Sequence, residues 1–263
     1  MSSILQIFNS SIGRKVIMSL TGLFLCLFLI VHVTGNLQLF NDDQGLSFNQ
    51  YTVFMTTFTP IKIVSYLLYA TIIIHAVSAL TLTLANNKAR NVKYASKKDP
   101  RSSSWASKNM GILGTVLLIF IVTHMANFWY KYKFGDTPWV EYSVDVNTGE
   151  FTQPPVMLES AGLTPDEYVI QNSDGVMVRK VIVKDLYSVV DTAFKQPLLV
   201  FLYVIGMIAL AYHMVHGFQS SFQTLGIRHG TFTPLIKSAG IWIFGIIIPL
   251  LFAAMPVYFY FIK

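Results

Sequence analysis

Five long apolar runs dominate the sequence and limit what it can fold into. At about 1.5 Å per residue, each is long enough to cross a hydrocarbon layer roughly 30 Å thick as an α-helix. None contains an aspartate or a glutamate, which would be costly in lipid. The runs predict five transmembrane helices, at about residues 16–39, 61–86, 109–131, 197–220 and 235–261. We therefore expect an all-α, multi-pass membrane protein in which residues 1–263 form a single transmembrane domain.

Composition agrees with a membrane location. Hydrophobic residues make up 53% of the chain and charged residues 12%, whereas about a quarter of a globular domain is charged. The net charge of +6 does not indicate a nucleic-acid partner, because the basic residues lie between the apolar runs. The first run follows Arg14 and Lys15 and is too long for the apolar part of a signal peptide, so we interpret it as a spanning helix. Cys26 is the single cysteine, which excludes an intrachain disulfide.

The charged residues are distributed unequally between the connections. If the N-terminus lies inside, the inner segments hold eleven basic residues, most of them in the 88–108 connection and one at Arg228, against a single acid, Asp99. The segment between the third and fourth runs, about 132–196, holds ten of the thirteen acids. The positive-inside rule then predicts a cytoplasmic N-terminus and an outside C-terminus.

This outer segment carries two turn signals between β-prone residues. The signals are Asn147-Thr148-Gly149 and Asp174-Gly175, and valines and tyrosines flank them. Such patterns are typical of β-hairpins. We expect small hairpins in the segment, and we find no residues there that indicate chemistry.

Four of the six histidines fall one per helix in the first four predicted spans: His32, His75, His124 and His213. A polar ring in hydrocarbon costs free energy unless it is paired or ligated. From the helix rise, two of them should lie roughly 10–15 Å from the outer charged boundary and the other two roughly 20–27 Å from it. The first pair is His32 with His124, and the second is His75 with His213. Simple hydrogen bonding or a water-filled proton path would also explain an isolated histidine.

Two histidines at each of two depths favour ligation of two haems. Neutral imidazole is a common axial ligand of haem iron, and facing helices can supply both axial positions. His216 follows His213 by three residues on a similar face, so either could be the ligand from the fourth helix. His229 lies beside Arg228 in a connection and is expected to be solvated. Several small residues could let a flat macrocycle approach the backbone or could serve helix packing alone: Gly35, Ser78, Ala79, Ala126, Ala209 and Gly217.

Motifs around the four histidines resemble the cytochrome b subunit of succinate dehydrogenases and fumarate reductases, in its five-helix, di-haem form. Gly13-Arg14-Lys15 opens the first helix, and the four motifs that come after it cover most of the membrane part. In chain order they read VHVTGNL, IIIHAVSAL, VTHMANFW and HMVHGFQSSFQTLGI. The order and spacing of these pieces, rather than any one of them, carry the resemblance.

The resemblance implies how the histidines are paired. In that family the first and third helices hold the distal haem b, which here implies His32 with His124. The second and fourth helices hold the proximal haem b, which implies His75 with His213. The family places its fourth-helix ligand thirteen residues before a glycine, the spacing from His213 to Gly226, which favours His213 over His216.

The resemblance also implies partners and location. A flavoprotein with FAD and an iron-sulfur subunit would dock on the cytoplasmic face of a bacterial inner membrane, and the complex would serve the tricarboxylic acid cycle. Electrons would pass through the haems to a quinone, typically menaquinone in this form. The chain would hold no catalytic residue of its own, and a higher oligomer of the complex is compatible with the family. Some fumarate reductases carry a glutamate where this chain has Ala211, so the proton path through that residue is not expected here.

Two alternatives to this interpretation stay open. The chain could be the cytochrome b of another quinone-linked dehydrogenase, such as a hydrogenase or a formate dehydrogenase. It could also be a transporter whose histidines relay protons, although such relays usually include carboxylates. Cytochromes of the bc type usually pair histidines about thirteen or fourteen residues apart on the same helix, and no span here has such a pair.

Overall fold

The five predicted spans are helices in the structure, a computed structural model that describes residues 10–89, 104–159, 162–227 and 229–263. Each observed helix is long and apolar enough to cross a membrane, and each predicted boundary lies within about five residues of the observed one. The first to fifth spans are Ser11–Phe40, Thr59–Lys88, Met110–Phe134, Pro197–Thr224 and Phe232–Phe261. The multi-pass prediction is therefore supported by five suitable helices.

The surfaces of these helices suit lipid. Leu27 is 64% exposed, Ile73 63% and Ile119 62%, although all three are large aliphatic side chains in the middle of a span. A water-soluble chain would bury such side chains or collect them at an interface. In a bilayer these side chains face hydrocarbon at no cost. Because hydrocarbon offers the backbone no hydrogen bonds, a spanning segment must satisfy its N–H and C=O groups internally, as a helix does.

The helices are not uniform along their length. The α-helical segments are Ser11–Asn36, Leu46–Thr57, Thr59–Ala89, Trp105–Lys108, Met110–His124, Lys131–Phe134, Leu186–Phe194, Pro197–Thr224, Phe232–Ala239 and Ile248–Phe261. A 3-10 turn, Leu37–Phe40, extends the first span, and π-helical segments occur at Met125–Tyr130 and Gly240–Ile247. The second π segment precedes Pro249, which lacks the N–H that a regular helix would use there.

The segment between the third and fourth spans contains a four-stranded antiparallel sheet. Its strands are β1 (Trp139–Asp145), β2 (Phe151–Leu158), β3 (Asp166–Gln171) and β4 (Met177–Lys184), in the order β2-β1-β4-β3. Both predicted hairpins are confirmed, because β1 pairs with β2 and β3 with β4. Their turns place Gly149 and Gly175 at φ angles of 75° and 80°, which favour glycine.

The expectation of an all-α fold is therefore correct for the spans and wrong for this segment. The sheet forms because β1 and β4 bury alternating valines and a tyrosine that no helix pattern would bring to one face. Val140, Tyr142, Val181 and Val183 pack with Leu46 in a small hydrophobic core.

A buried polar network ties the Leu46–Thr57 helix to this sheet. Asn49 is 0% exposed, and its side-chain amide donates to the Tyr142 hydroxyl at 3.0 Å and to Asp185 Oδ1 at 2.8 Å. The Tyr142 hydroxyl donates to the Gln44 carbonyl at 3.1 Å, and the Tyr187 backbone N–H donates to Asn49 Oδ1 at 3.0 Å. Burial raises the pKa of Tyr142, and the neighbouring Asp185 carboxylate raises it further.

The chain divides into two compact units. One comprises the described residues of Met1–Val33, Val64–Ile121 and Phe201–Ala254, and the other those of Thr34–Ile63, Val122–Val200 and Met255–Lys263. The sheet and the Asn49 network belong to the second unit. Most of the basic 88–108 connection, together with Arg228, lies outside the described residues.

Candidate functional site

His75 and His213 lie close together within one compact unit. Their ring centroids are 6.3 Å apart, and the ring planes are inclined at 68°. His75 comes from the second span and His213 from the fourth, and both are half-buried. The structure thus brings together the two histidines that the sequence places farther from the outer charged boundary.

The His75 ring is held by a neighbour on the first span. Its Nδ1 lies 3.0 Å from the Thr21 hydroxyl oxygen. That hydroxyl also lies 2.7 Å from the carbonyl oxygen of Ile17, one turn earlier in the same helix, and 3.1 Å from that of Met18. The first span therefore contributes a side chain that orients one ring of the pair.

His213 differs from His75 in its hydrogen bonding. Its Nδ1 is buried and has no hydrogen-bond partner in the described part of the chain. Buried polar atoms in folded proteins are nearly always paired, and an unpaired one calls for an explanation such as a bound water, an ion or a redox role. A ring in this condition, beside a second histidine, is suited to ligating a metal centre.

Glycines on two other helices border the pair. A Cβ added at Gly22 would lie 3.4 Å from His75 Cε1 and 3.7 Å from the Ser221 hydroxyl, whereas one added at Gly114 would lie 3.9 Å from His213 Cε1. A Cβ at either position would make only ordinary contacts, so the two glycines lie beside the rings and an alanine would also fit there.

His32 and His124 have aromatic neighbours. The His32 ring stacks on Phe28 with centroids 5.1 Å apart and lies 5.5 Å from Phe252. His124 ends the α-helical part of the third span, and its ring lies 5.5 Å from that of Phe128 in the following π segment. His32 belongs to the first compact unit and His124 to the second. Their pairing stays a prediction.

The remaining two histidines have different environments. His216 is half-buried one turn after His213 on the fourth span, so the structure keeps it as a neighbour of the pair. His229 is exposed, as expected. It lines an open groove of about 720 Å3 with Gln223, Thr233 and Lys237, and its ring lies 5.6 Å from that of Phe232.

Several residues around the pair were not among the sequence candidates. Thr21, Gly22 and Gly114 escape notice because small and hydroxylated residues are frequent in transmembrane helices. Conversely, Gly35 serves packing, since a Cβ there would overlap the ring of Tyr51. A polar residue inside a neighbouring span would have been the useful signal. Several such residues occur, however, and only the packing of the helices identifies Thr21 as the one that touches His75.

The donor set at this site consists of imidazoles. Among residues 10–89, 104–159, 162–227 and 229–263, no group of three or more His, Cys, Asp or Glu gathers to hold a metal ion. No family model, curated protein or solved structure matches this chain. The family resemblance rests on the sequence motifs alone.

Proposed function

We propose that this chain is the membrane-anchor cytochrome b subunit of a succinate:quinone oxidoreductase. The observation that supports this most strongly is the close approach of His75 and His213 on two membrane-spanning helices. The resemblance of the four histidine motifs to this family supplies the partner subunits and the quinone.

The geometry of the pair fits bis-histidine ligation of a haem. An imidazole nitrogen binds zinc at about 2 Å, and a comparable distance for iron would separate the ligating nitrogens of two axial histidines by about 4 Å. Adding the radius of each five-membered ring brings the centroids to roughly 6 Å, and the observed value is 6.3 Å. The two ring planes need not be parallel, so an inclination of 68° is compatible with axial ligation.

The chemistry of the donors fits as well. A haem iron takes few ligands from the protein, and a pair of neutral imidazoles could supply them. His213, with its unpartnered Nδ1, and His75, held by Thr21, would be these ligands of the proximal haem. When bound, haem b supplies one-electron transfer at a potential set by its ligands and by burial. The surrounding helices of this chain would orient the two rings and exclude bulk water.

The rest of the proposal extends beyond this pair. His32 and His124 would ligate the distal haem, and a quinone would be the substrate on the membrane side. The excess of basic residues in the 88–108 connection supports a cytoplasmic N-terminus and an outside C-terminus in a bacterial inner membrane. A flavoprotein with FAD and an iron-sulfur subunit would then dock on the cytoplasmic face.

Purification of the full-length protein with its native partners tests the proposal. We expect two haems b per chain in a pyridine haemochrome assay, and reduction of the haems by succinate in the intact complex. Reduction by hydrogen or formate instead of succinate would assign the chain to another dehydrogenase. A stably folded, haem-free protein would contradict the cytochrome assignment and favour a histidine-dependent proton transporter.

A further inference from the structure

The Thr21 hydroxyl has close neighbours of two kinds, the carbonyl oxygens of Ile17 and Met18 and the ring nitrogen Nδ1 of His75. The Ile17 carbonyl oxygen, 2.7 Å away, can only accept a hydrogen bond. His75 Nδ1, 3.0 Å away, can either donate or accept, depending on the tautomer of the ring. The hydroxyl has a single hydrogen. If it donates that hydrogen to a carbonyl oxygen, it can only accept a hydrogen bond from His75 Nδ1.

The shorter contact decides where that hydrogen lies. Two oxygen atoms 2.7 Å apart repel unless a hydrogen lies between them, and the carbonyl carries none. The Thr21 hydroxyl therefore donates to Ile17, and its lone pair accepts from His75. This arrangement places a hydrogen on Nδ1 of His75 and leaves Nε2 as the nitrogen with a free lone pair.

We propose that Thr21 is a positioning residue that holds His75 in the Nδ1–H tautomer, so that Nε2 is the atom presented to iron. The inference rests on the proposed function, because it concerns the proximal haem. An acceptor that takes a hydrogen bond from the non-ligating nitrogen fixes the orientation of the ring and makes the ligating nitrogen more basic.

Greater basicity of one ligand has a measurable consequence. A more basic imidazole stabilises ferric more than ferrous iron, so loss of the Thr21 hydroxyl should raise the midpoint potential of one haem and leave the other unchanged. Each tenfold loss of preference for the ferric form corresponds to about 59 mV for a one-electron couple.

The variants for this test are Thr21→Val, which removes the hydroxyl at nearly constant volume, and Thr21→Ser, which keeps it. Thr115→Val is a matched control, because the Thr115 hydroxyl donates only along its own helix, to the Gly111 carbonyl at 2.9 Å. We expect a raised potential and altered low-spin ferric EPR g values in Thr21→Val alone. Unchanged potentials and g values in Thr21→Val protein that retains its haems would overturn the proposal.

A measurement that does not depend on haem separates this inference from the proposed function. Nitrogen-15 NMR of the histidine-labelled wild-type protein as purified, reduced to the diamagnetic ferrous state if it carries haem, reports which His75 nitrogen holds the hydrogen, and His75→Gln identifies its signal. An Nδ1–H signal that Thr21→Ser keeps and Thr21→Val loses supports the role of Thr21 even if the native protein proves to contain no haem. An Nε2–H tautomer in the wild type would overturn that role even if two haems are present, and this reading also decides the matter if Thr21→Val fails to fold.

Discussion

The rings of His75 and His213 lie 6.3 Å apart, although 138 positions of sequence separate the two residues. Two helices bring them together, and glycines on two further helices lie beside the two rings. Substitution of either ring by a methyl group should remove one of the two haems. We expect the ratio of haem to protein in His75→Ala and in His213→Ala to fall from two to about one. His229→Ala is the control, since His229 is exposed and should keep both haems.

His213 and His216 can be distinguished by single substitutions. His213→Ala should lose the proximal haem, whereas His216→Ala should retain both haems, because a neighbour of the ligand tunes the site without holding the iron. Optical spectra and redox titration of the two purified variants measure this. The reverse result would assign the ligand to His216 and contradict the role proposed for the orphaned Nδ1 of His213.

Gly22 limits the size of the side chain that the site accepts. A methyl group there would make an ordinary contact, 3.4 Å from His75 Cε1, so Gly22→Ala should keep both haems. Gly22→Leu would force the larger side chain against His75 and Ser221, and we expect it to lose most of one haem at unchanged expression. Equal haem content in the two variants would show that Gly22 does not border the haem site.

Asn49 should contribute strongly to the stability of the second compact unit. Asn49→Ala removes the acceptor of the Tyr187 backbone N–H and the amide donor to Asp185 Oδ1 and the Tyr142 hydroxyl, and an unsatisfied buried group costs about 1–3 kcal/mol. We expect the free energy of unfolding, from denaturant titration in detergent, to fall by about 2–4 kcal/mol. Gln50→Ala is the matched control. In the described part of the chain the Gln50 side chain makes one hydrogen bond, an exposed contact of 3.4 Å with Glu167, so a similar loss in that variant would refute a specific role of the network.

Tyr142 should make the protein less stable in alkali. Its pKa is raised in the folded state, chiefly by burial, so above about pH 10 the unfolded chain loses its tyrosine proton before the folded chain does. The unfolded state then binds fewer protons, and the free energy of unfolding falls as the pH rises. Tyr142→Phe should show a smaller fall between pH 9 and pH 11, on the order of the range in which tyrosine titrates. An equally steep fall in the variant would assign the effect to other groups.

The two hairpins illustrate how far the local sequence reaches. The turn residues and the alternation of Tyr142 and Val144 with polar neighbours predict paired strands, and the structure has them. The order β2-β1-β4-β3 was not predicted, because the contact between β1 and β4 joins residues about forty positions apart. It depends on which faces can be buried together, as Val140 and Val183 are.

The sequence by itself determined the five spans, because the length and the hydrophobicity of a transmembrane helix are local properties that lipid selects directly. It also placed one histidine in each of the first four spans. The tertiary structure alone decided that His75 meets His213, that the Thr21 hydroxyl touches His75, and that Gly22 and Gly114 lie beside the two rings. The rotation of each helix about its axis settles these contacts, and that rotation depends on the packing of small and large side chains between helices rather than on the pattern within any one of them.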